Sequence, residues 1–252
     1  MPDLESNIIY QYDGTYNGFL SCVYESIYSR SIPYDIVRYD NDPITLYEKH
    51  YVETDAGKAQ RVQKSIPDKI SYRASKLIET VFLSCLQQKE LYMLRFLRRG
   101  YREGAKLLSK LGDPDVSVLL QAEKSLLNEA HLFRGFVRFA DYGNSLAATI
   151  TPKNFVLPFI SRHFILRYKD DDFIIFDNTN KAALIYRNRI PEIISVDSIE
   201  FPELTTEENK YRALWKRFYD TLSIEARENP RCRMTHMPKR FWVNMFEMQD
   251  QY

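Results

Sequence analysis

Two kinds of hydrophobic spacing occupy separate stretches of this chain, and that separation limits what it can fold into. From Ser71 to Leu111 the apolar residues recur at helical spacing. Gly112 stops the pattern and Asp113-Pro114 restarts it, an N-cap followed by proline at the first helical position. The second helix is expected to run to about Glu129. Beyond it the pattern changes. "HLFRGFVRFADYGNSLAATI" alternates, and "HFILRYK", "FIIF" and "AALIYR" are short apolar runs separated by the turn formers "DDD" and "DNTN". Helices that segregate from antiparallel strands define the α+β class. The expected architecture is a central antiparallel sheet, a meander over about 132–200, with helices from about 15–30, 71–130 and 205–247 packed on it.

The front of the chain reads as a strand, a turn and a helix. Ile8 to Tyr12 is strand-like, Asp13-Gly14 is turn material, and Thr15 can cap a helix whose Phe19, Val23 and Ile27 recur every four positions. Residues 31–70 are mixed, punctuated by Pro33, Pro43 and Pro67. Near the end, Thr205-Thr206-Glu207-Glu208 offers a capping box for a helix with Tyr211, Leu214, Trp215, Phe218 and Leu222 on one side. No internal repeat or linker is visible, so residues 1–252 are expected to form a single domain. Its successive parts are 1–70, a helical 71–131, the strands of 132–200 and a basic, helical 201–252.

The 252 residues are 44% hydrophobic, enough for a sizeable core. The net charge is only +1, so any attraction to a polyanion must come from local concentration of cations. "MPDLESNIIY" carries acids and no apolar signal region, and the longest apolar runs are too short to span a bilayer. Cys22, Cys85 and Cys232 leave one thiol over in any disulfide scheme. A cytoplasmic protein with reduced thiols and no membrane contact is the expectation.

Two segments concentrate positive charge. In "LYMLRFLRRGYREGAKLL" (Leu91 to Leu108), Arg95, Arg98, Arg99, Arg102 and Lys106 fall at i, i+3, i+4, i+7 and i+11. On one helix they share a narrow arc, with Met93, Leu97, Gly100, Gly104, Leu107 and Leu108 opposite. Only Glu103 interrupts the row, and arginine's planar fork suits bidentate contacts to phosphate. The second segment, "RCRMTHMPKRFW", brings Arg231, Arg233, Lys239 and Arg240 together beside Trp242. Pro238 would open a short helix there, placing two cations at an N-terminus able to hold an anion. The expectation is a cradle for nucleic acid in which both segments contact phosphates, with Trp242, Tyr101 or Phe241 available for base stacking.

Motifs for other chemistry are missing. The cysteines and the histidines His50, His131, His163 and His236 are scattered, without iron–sulfur or zinc spacing, and no Walker loop, dinucleotide fingerprint or nucleophile elbow occurs. No metal or cofactor is therefore expected. Asp13, His163 and Arg167 form a possible further site: Asp13 as a turn aspartate able to act as base or metal ligand, the other two on the sheet with Arg134 beside them. For Asp13 an Asx-turn is the stronger reading. "DDD" at Asp170 to Asp172 reads as a hydrated hairpin tip.

The combination of "YDGTYNGFLSCVYESI", "EAHLFRGFVRF" and "MPKRFWVNMFE", in that order, resembles a family of DNA-metabolism proteins. That family is a domain of unknown function found beside a radical SAM protein of DNA modification or repair, and it also occurs fused to a uracil-DNA glycosylase-like domain. The resemblance spans nearly the whole chain and assigns no catalytic residue. It implies a role in DNA repair or modification with a radical SAM protein as partner. Nothing here matches the glycosylase half, so the stand-alone form is expected. The resulting expectation is a DNA-binding accessory protein; the alternatives are a nucleic-acid-processing enzyme with an unrecognised site, or a scaffold for the radical SAM partner.

Overall fold

The computed structural model describes residues 4–41, 44–143, 145–222 and 229–251. Pro43 and part of the basic C-terminal stretch, 223–228, lie outside them. By its internal contacts the chain divides into two units, Met1–Leu126 and Leu127–Tyr252. The fold is α+β: helices packed with a three-stranded parallel sheet in the first unit and with a five-stranded mixed sheet in the second.

In the first unit, β1 (Leu4–Glu5) pairs with β3 (Ser31–Ile32). Strand β2 (Ile8–Tyr12) lies between β4 (Asp35–Arg38) and β5 (Glu48–Tyr51), parallel to both. A central parallel strand is covered on both faces, and four successive residues of β2, Ile9 to Tyr12, are buried. Asp13 then turns the chain. Its Oδ1 accepts from the Thr15 amide at 2.9 Å and the Thr15 hydroxyl at 2.8 Å, and its Oδ2 accepts from Thr54 at 2.8 Å. Gly14 takes the left-handed backbone this reversal needs, with φ of 81°. Thr15 caps α1 (Tyr16–Ser29), its Oγ1 accepting from the Gly18 amide at 3.0 Å.

Helices α2 (Ala56–Lys69), α3 (Tyr72–Phe82), α4 (Lys89–Glu103) and α5 (Pro114–Phe136) follow. Phe19, Ile36, Ile66, Leu77, Phe96 and Leu97 are among the residues of a continuous core. The long helical pattern from Ser71 is broken twice, at 83–88 and again at Gly104. That glycine takes φ of 66°, ends α4, and starts a 3₁₀ stretch, Gly104–Ser109. Lys106 is therefore off the helix that carries the arginines. Gly100 lets α4 approach Ile70: a Cβ there would sit 2.5 Å from the Ile70 Cδ1.

In the second unit the sheet order is β10-β9-β8-β7-β6, with β6 (Ala140–Asp141), β7 (Leu146–Ile150), β8 (Phe173–Asp177), β9 (Ala182–Arg187) and β10 (Ile190–Ser195). The expected antiparallel meander holds for β8 to β10. Strands β7 and β8 are instead parallel, joined through α6 (Leu157–Arg167). "HFILR" is thus helix, not strand. Leu157, Ile160 and Phe164 are its buried residues, at helical spacing, and Pro158 occupies its first turn. Likewise "HLFRGF" completes α5, with Ala130 and Phe133 buried three residues apart. Arg134, His163 and Arg167 accordingly sit on helices rather than in the sheet.

Helix α7 (Thr206–Leu222) begins where the capping box lies, and Thr205 Oγ1 accepts from the Glu208 amide at 3.1 Å. The return half of the box is not made, because the Glu208 carboxylate takes Arg212 at 2.7 Å and the Asp141 amide at 3.2 Å. Tyr211, Leu214, Trp215 and Phe218 are exposed. After α8 (Pro230–His236) the chain closes in two 3₁₀ stretches, Lys239–Asn244 and Phe246–Gln251. Phe241, Trp242, Met245 and Met248 enter the core of this unit with Ile150, Phe164 and Phe173.

Candidate nucleic-acid interface

The row of cations on α4 was the strongest local feature of the sequence, and its four arginines do meet. Arg95, Arg98, Arg99 and Arg102 line one cleft of about 390 Å³, together with Ile32, Glu103 and Asp115. Four guanidinium groups face two carboxylates there, a local surplus of positive charge in a nearly neutral chain.

The four arginines differ in what they are able to do. Arg98 is buried, and its Nη1 donates to the Ser26 carbonyl, to Ser26 Oγ at 2.8 Å and to the Ser31 carbonyl at 3.2 Å. It ties the end of α1 to the segment that follows, so it serves as the floor of the cleft rather than as a hand reaching out. Arg99 donates to Asp113 at 2.6 Å and lies 3.5 Å from Glu103. The Asp113 hydrogen bond is the main cause of its raised pKa. Arg102 Nε reaches the Arg98 carbonyl at 3.5 Å, leaving an exposed side chain at the rim. Arg95 makes no ion pair with a described residue, and its charge acts on Asp115. Burial first, and then the negative charge of Asp113, push the Asp115 carboxyl above its usual range even though Arg95 and Arg99 oppose them. Arg102 is exposed and Arg95 partly so, which puts their guanidinium groups within reach of an outside anion. Asp113 and Asp115 escaped the sequence reading as partners: Asp113 was legible as an N-cap, and it does accept from the Asp115 and Val116 amides at 3.1 and 3.3 Å. Its second oxygen holding Arg99 had no sequence signal. Lys106 is exposed, on the 3₁₀ stretch beyond.

The C-terminal segment belongs to the second unit, and its aromatic is not available for stacking on a base. Trp242 is 2% exposed, its indole N–H donates to the Met237 carbonyl at 3.0 Å, and Phe241 is buried beside it. Arg233 and Lys239 lie over the Trp242 ring at 5.3 and 5.7 Å, an internal cation–π arrangement. Arg240 stands over Phe241 at 4.6 Å and donates to Glu129 at 2.6 Å. Glu129 is itself buried and also accepts from the Lys153 and Asn154 amides at 3.0 and 2.8 Å. The anion that Arg240 was expected to await is thus a carboxylate of the same chain. Pro238 precedes a six-residue 3₁₀ stretch in place of the expected short helix. Arg231 and Lys239 remain as exposed cations.

The three residues of the possible further site do not assemble within one unit. Asp13 belongs to the first, and both its oxygens are engaged by Thr15 and Thr54. Partial burial alone would raise its pKa, but those hydrogen bonds outweigh it and hold the carboxyl below its usual value. His163 and Arg167 are one turn apart on α6 in the second unit. Burial, followed by the charges of Arg134 and Arg167, lowers the His163 pKa. Arg167 is exposed and lies over Tyr168 at 5.8 Å. Asp177 is buried and satisfied by Asn180 and the Thr179 amide. Asp170, of the acidic run, pairs with Arg189 at 3.0 Å. No group of three or more metal-ligating side chains occurs among the described residues, and none of their helices is long and apolar enough to cross a membrane.

No curated protein and no solved structure matches the chain. One family does, over residues 87–247, and it is described as a domain of unknown function, DUF4130. The matched span takes in the arginines of α4, the mixed sheet and the C-terminal aromatic cluster. Since it covers well over half of the 252 residues, the chain belongs to the DUF4130 family.

Proposed function

We propose that this chain is a nucleic-acid-binding accessory protein of DNA repair or modification, acting beside a radical SAM enzyme, and that the α4 cleft is its phosphate-binding surface. The observation that carries the reading is the convergence of Arg95, Arg98, Arg99 and Arg102 on one cleft with only two carboxylates among its lining. Arg98 and Arg99, held by Ser26 and Asp113, give the cleft a fixed shape; Arg95 and Arg102 supply the contacts. Phosphate contacts of this kind position a strand and carry no sequence information, which suits a protein that presents substrate to a partner. On the second unit, exposed Arg231 and Lys239 offer phosphate contacts of their own.

Fluorescence anisotropy with labelled duplex and single-stranded oligonucleotides tests it. Arg95→Glu with Arg102→Glu is expected to lower affinity about ten-fold or more at moderate salt. Unchanged affinity in that variant, or no binding by the native chain, would refute the assignment. A matching pull-down of the radical SAM protein, with and without nuclease, separates a complex bridged by DNA from a direct protein contact.

A further inference from the structure

A second surface of the first unit has the chemistry to complete such a site. Tyr24 and Tyr28 of α1, Arg61, Ser65 and Lys69 of α2, and Tyr101 of α4 are among the residues lining an open groove of about 340 Å³. Tyr28 is 78% exposed, although an aromatic ring gains most by burial. Its plane lies within 7° of the Tyr24 plane, with centroids 6.3 Å apart. Tyr101 is anchored at the base of the groove by a 2.8 Å hydrogen bond to Ser65. Positive charge edges the aromatic surface. Lys58 lies 5.6 Å over the Tyr24 ring and 3.8 Å from Glu25, while Arg61 and Lys69 make no ion pair with a described residue.

We infer that this groove stacks an unpaired base of a single-stranded nucleic acid whose phosphates run along the arginine cleft. The exposed Tyr28 ring, beside Arg61 and Lys69, complements a base attached to a phosphate. An apolar peptide would leave Arg61 and Lys69 unmatched, and a duplex offers no free base face. The two surfaces adjoin, because α4 gives Tyr101 to the groove and Arg98 and Arg102 to the cleft, while Ile27 lines the groove next to the Ser26 that holds Arg98. On α4, Tyr101 and Arg98 are three residues apart and so on neighbouring sides of the helix. This inference rests on the nucleic-acid reading above and adds strandedness to it.

The test compares a short oligothymidylate, an abasic oligomer of equal length and a duplex, binding to the full chain and its variants. Tyr28→Ala is expected to weaken oligothymidylate binding about ten-fold while leaving the abasic oligomer and the duplex unchanged. Tyr28→Phe, which keeps the ring, is expected to restore it. Equal effects of Tyr28→Ala on all three probes, or no effect on any, would overturn the groove. If the double change at Arg95 and Arg102 is silent while the Tyr28 effect persists, the groove stands and the cleft assignment fails. The reverse pattern removes the groove and keeps the cleft.

Discussion

Arg98 shows how far a single residue's role depends on what surrounds it. It belongs to a row of cations by sequence spacing, yet its guanidinium completes the hydrogen bonding of Ser26 and Ser31, about seventy positions earlier in the chain. Arg98→Met would remove the charged donor from both carbonyls, leaving Ser26 O to the Arg30 amide and Ser31 O to the Ser26 hydroxyl, and we expect a loss of about 2 kcal/mol in urea denaturation. Nucleic-acid affinity should change far less than in the Arg95→Glu, Arg102→Glu variant. A stable Arg98→Met protein that no longer binds would reverse these roles. No local signal marks the serine carbonyls as its partners, so the helical arc was legible and the burial was not. Trp242 carries the same lesson: beside four cations it looks like a stacking residue, but it is buried, two of those cations lie on its own ring and a third is held by Glu129. Cys22 is fully buried, and burial pushes its thiol pKa up, whereas Cys85 and Cys232 are exposed. A thiol-reactive dye should therefore modify Cys85 and Cys232 quickly and reach Cys22 only on unfolding; early labelling of Cys22 would contradict this packing. His163 gives a pH dependence. Its folded pKa is lowered from 6.5, so the unfolded chain binds its proton first as the solution is acidified. Its contribution to stability is present above that value and lost as pH falls through the lowered one. An NMR titration should show the depressed midpoint, and His163→Gln should remove this part of the acid destabilisation.

Among the elements, those defined by neighbours in sequence could be read in advance. Strand β2, the Asp13-Gly14 reversal and the Thr15 cap fall where short-range chemistry puts them, as do Pro114 at the start of α5 and the Thr205 cap of α7. What could not be read was pairing between distant segments. Strands β4 and β5 have four residues each and lie parallel to β2, and nothing local announces a parallel ladder of that length. The segment from Leu157 to Arg167 is as apolar as a strand, and only its burial at Leu157, Ile160 and Phe164 distinguishes it as helix. Helix α4 was legible as far as its buried glycine side. Gly100→Ala tests that contact: helix propensity alone would favour alanine by up to about 1 kcal/mol. The methyl group would meet Ile70, and overpacking costs about 1–3 kcal/mol, so a net loss of stability is expected. A thermal midpoint equal to or above that of the native protein would show that Ile70 yields.

At the scale of the whole molecule, charge is distributed rather than accumulated. A chain of net charge +1 has no long-range pull on a polyanion, and its folding pairs many of its cations internally, as at Arg99–Asp113, Arg138–Glu247 and Arg240–Glu129. The two basic segments fall in different units, so the proposed binding has to be tested on each separately. The first unit holds the arginine cleft and the tyrosine groove; the second contributes exposed Arg231 and Lys239. The central claim is that phosphate binding occurs through a few defined cations in the cleft. The salt dependence of single-strand affinity, measured for the native chain and for Arg95→Glu with Arg102→Glu, tests it most directly. We predict a linear fall of log K with log salt for the native chain, and a slope shallower by about 1–2 in the variant, since each lost phosphate contact removes roughly 0.7. A flat native dependence, or identical slopes for the two proteins, would contradict it.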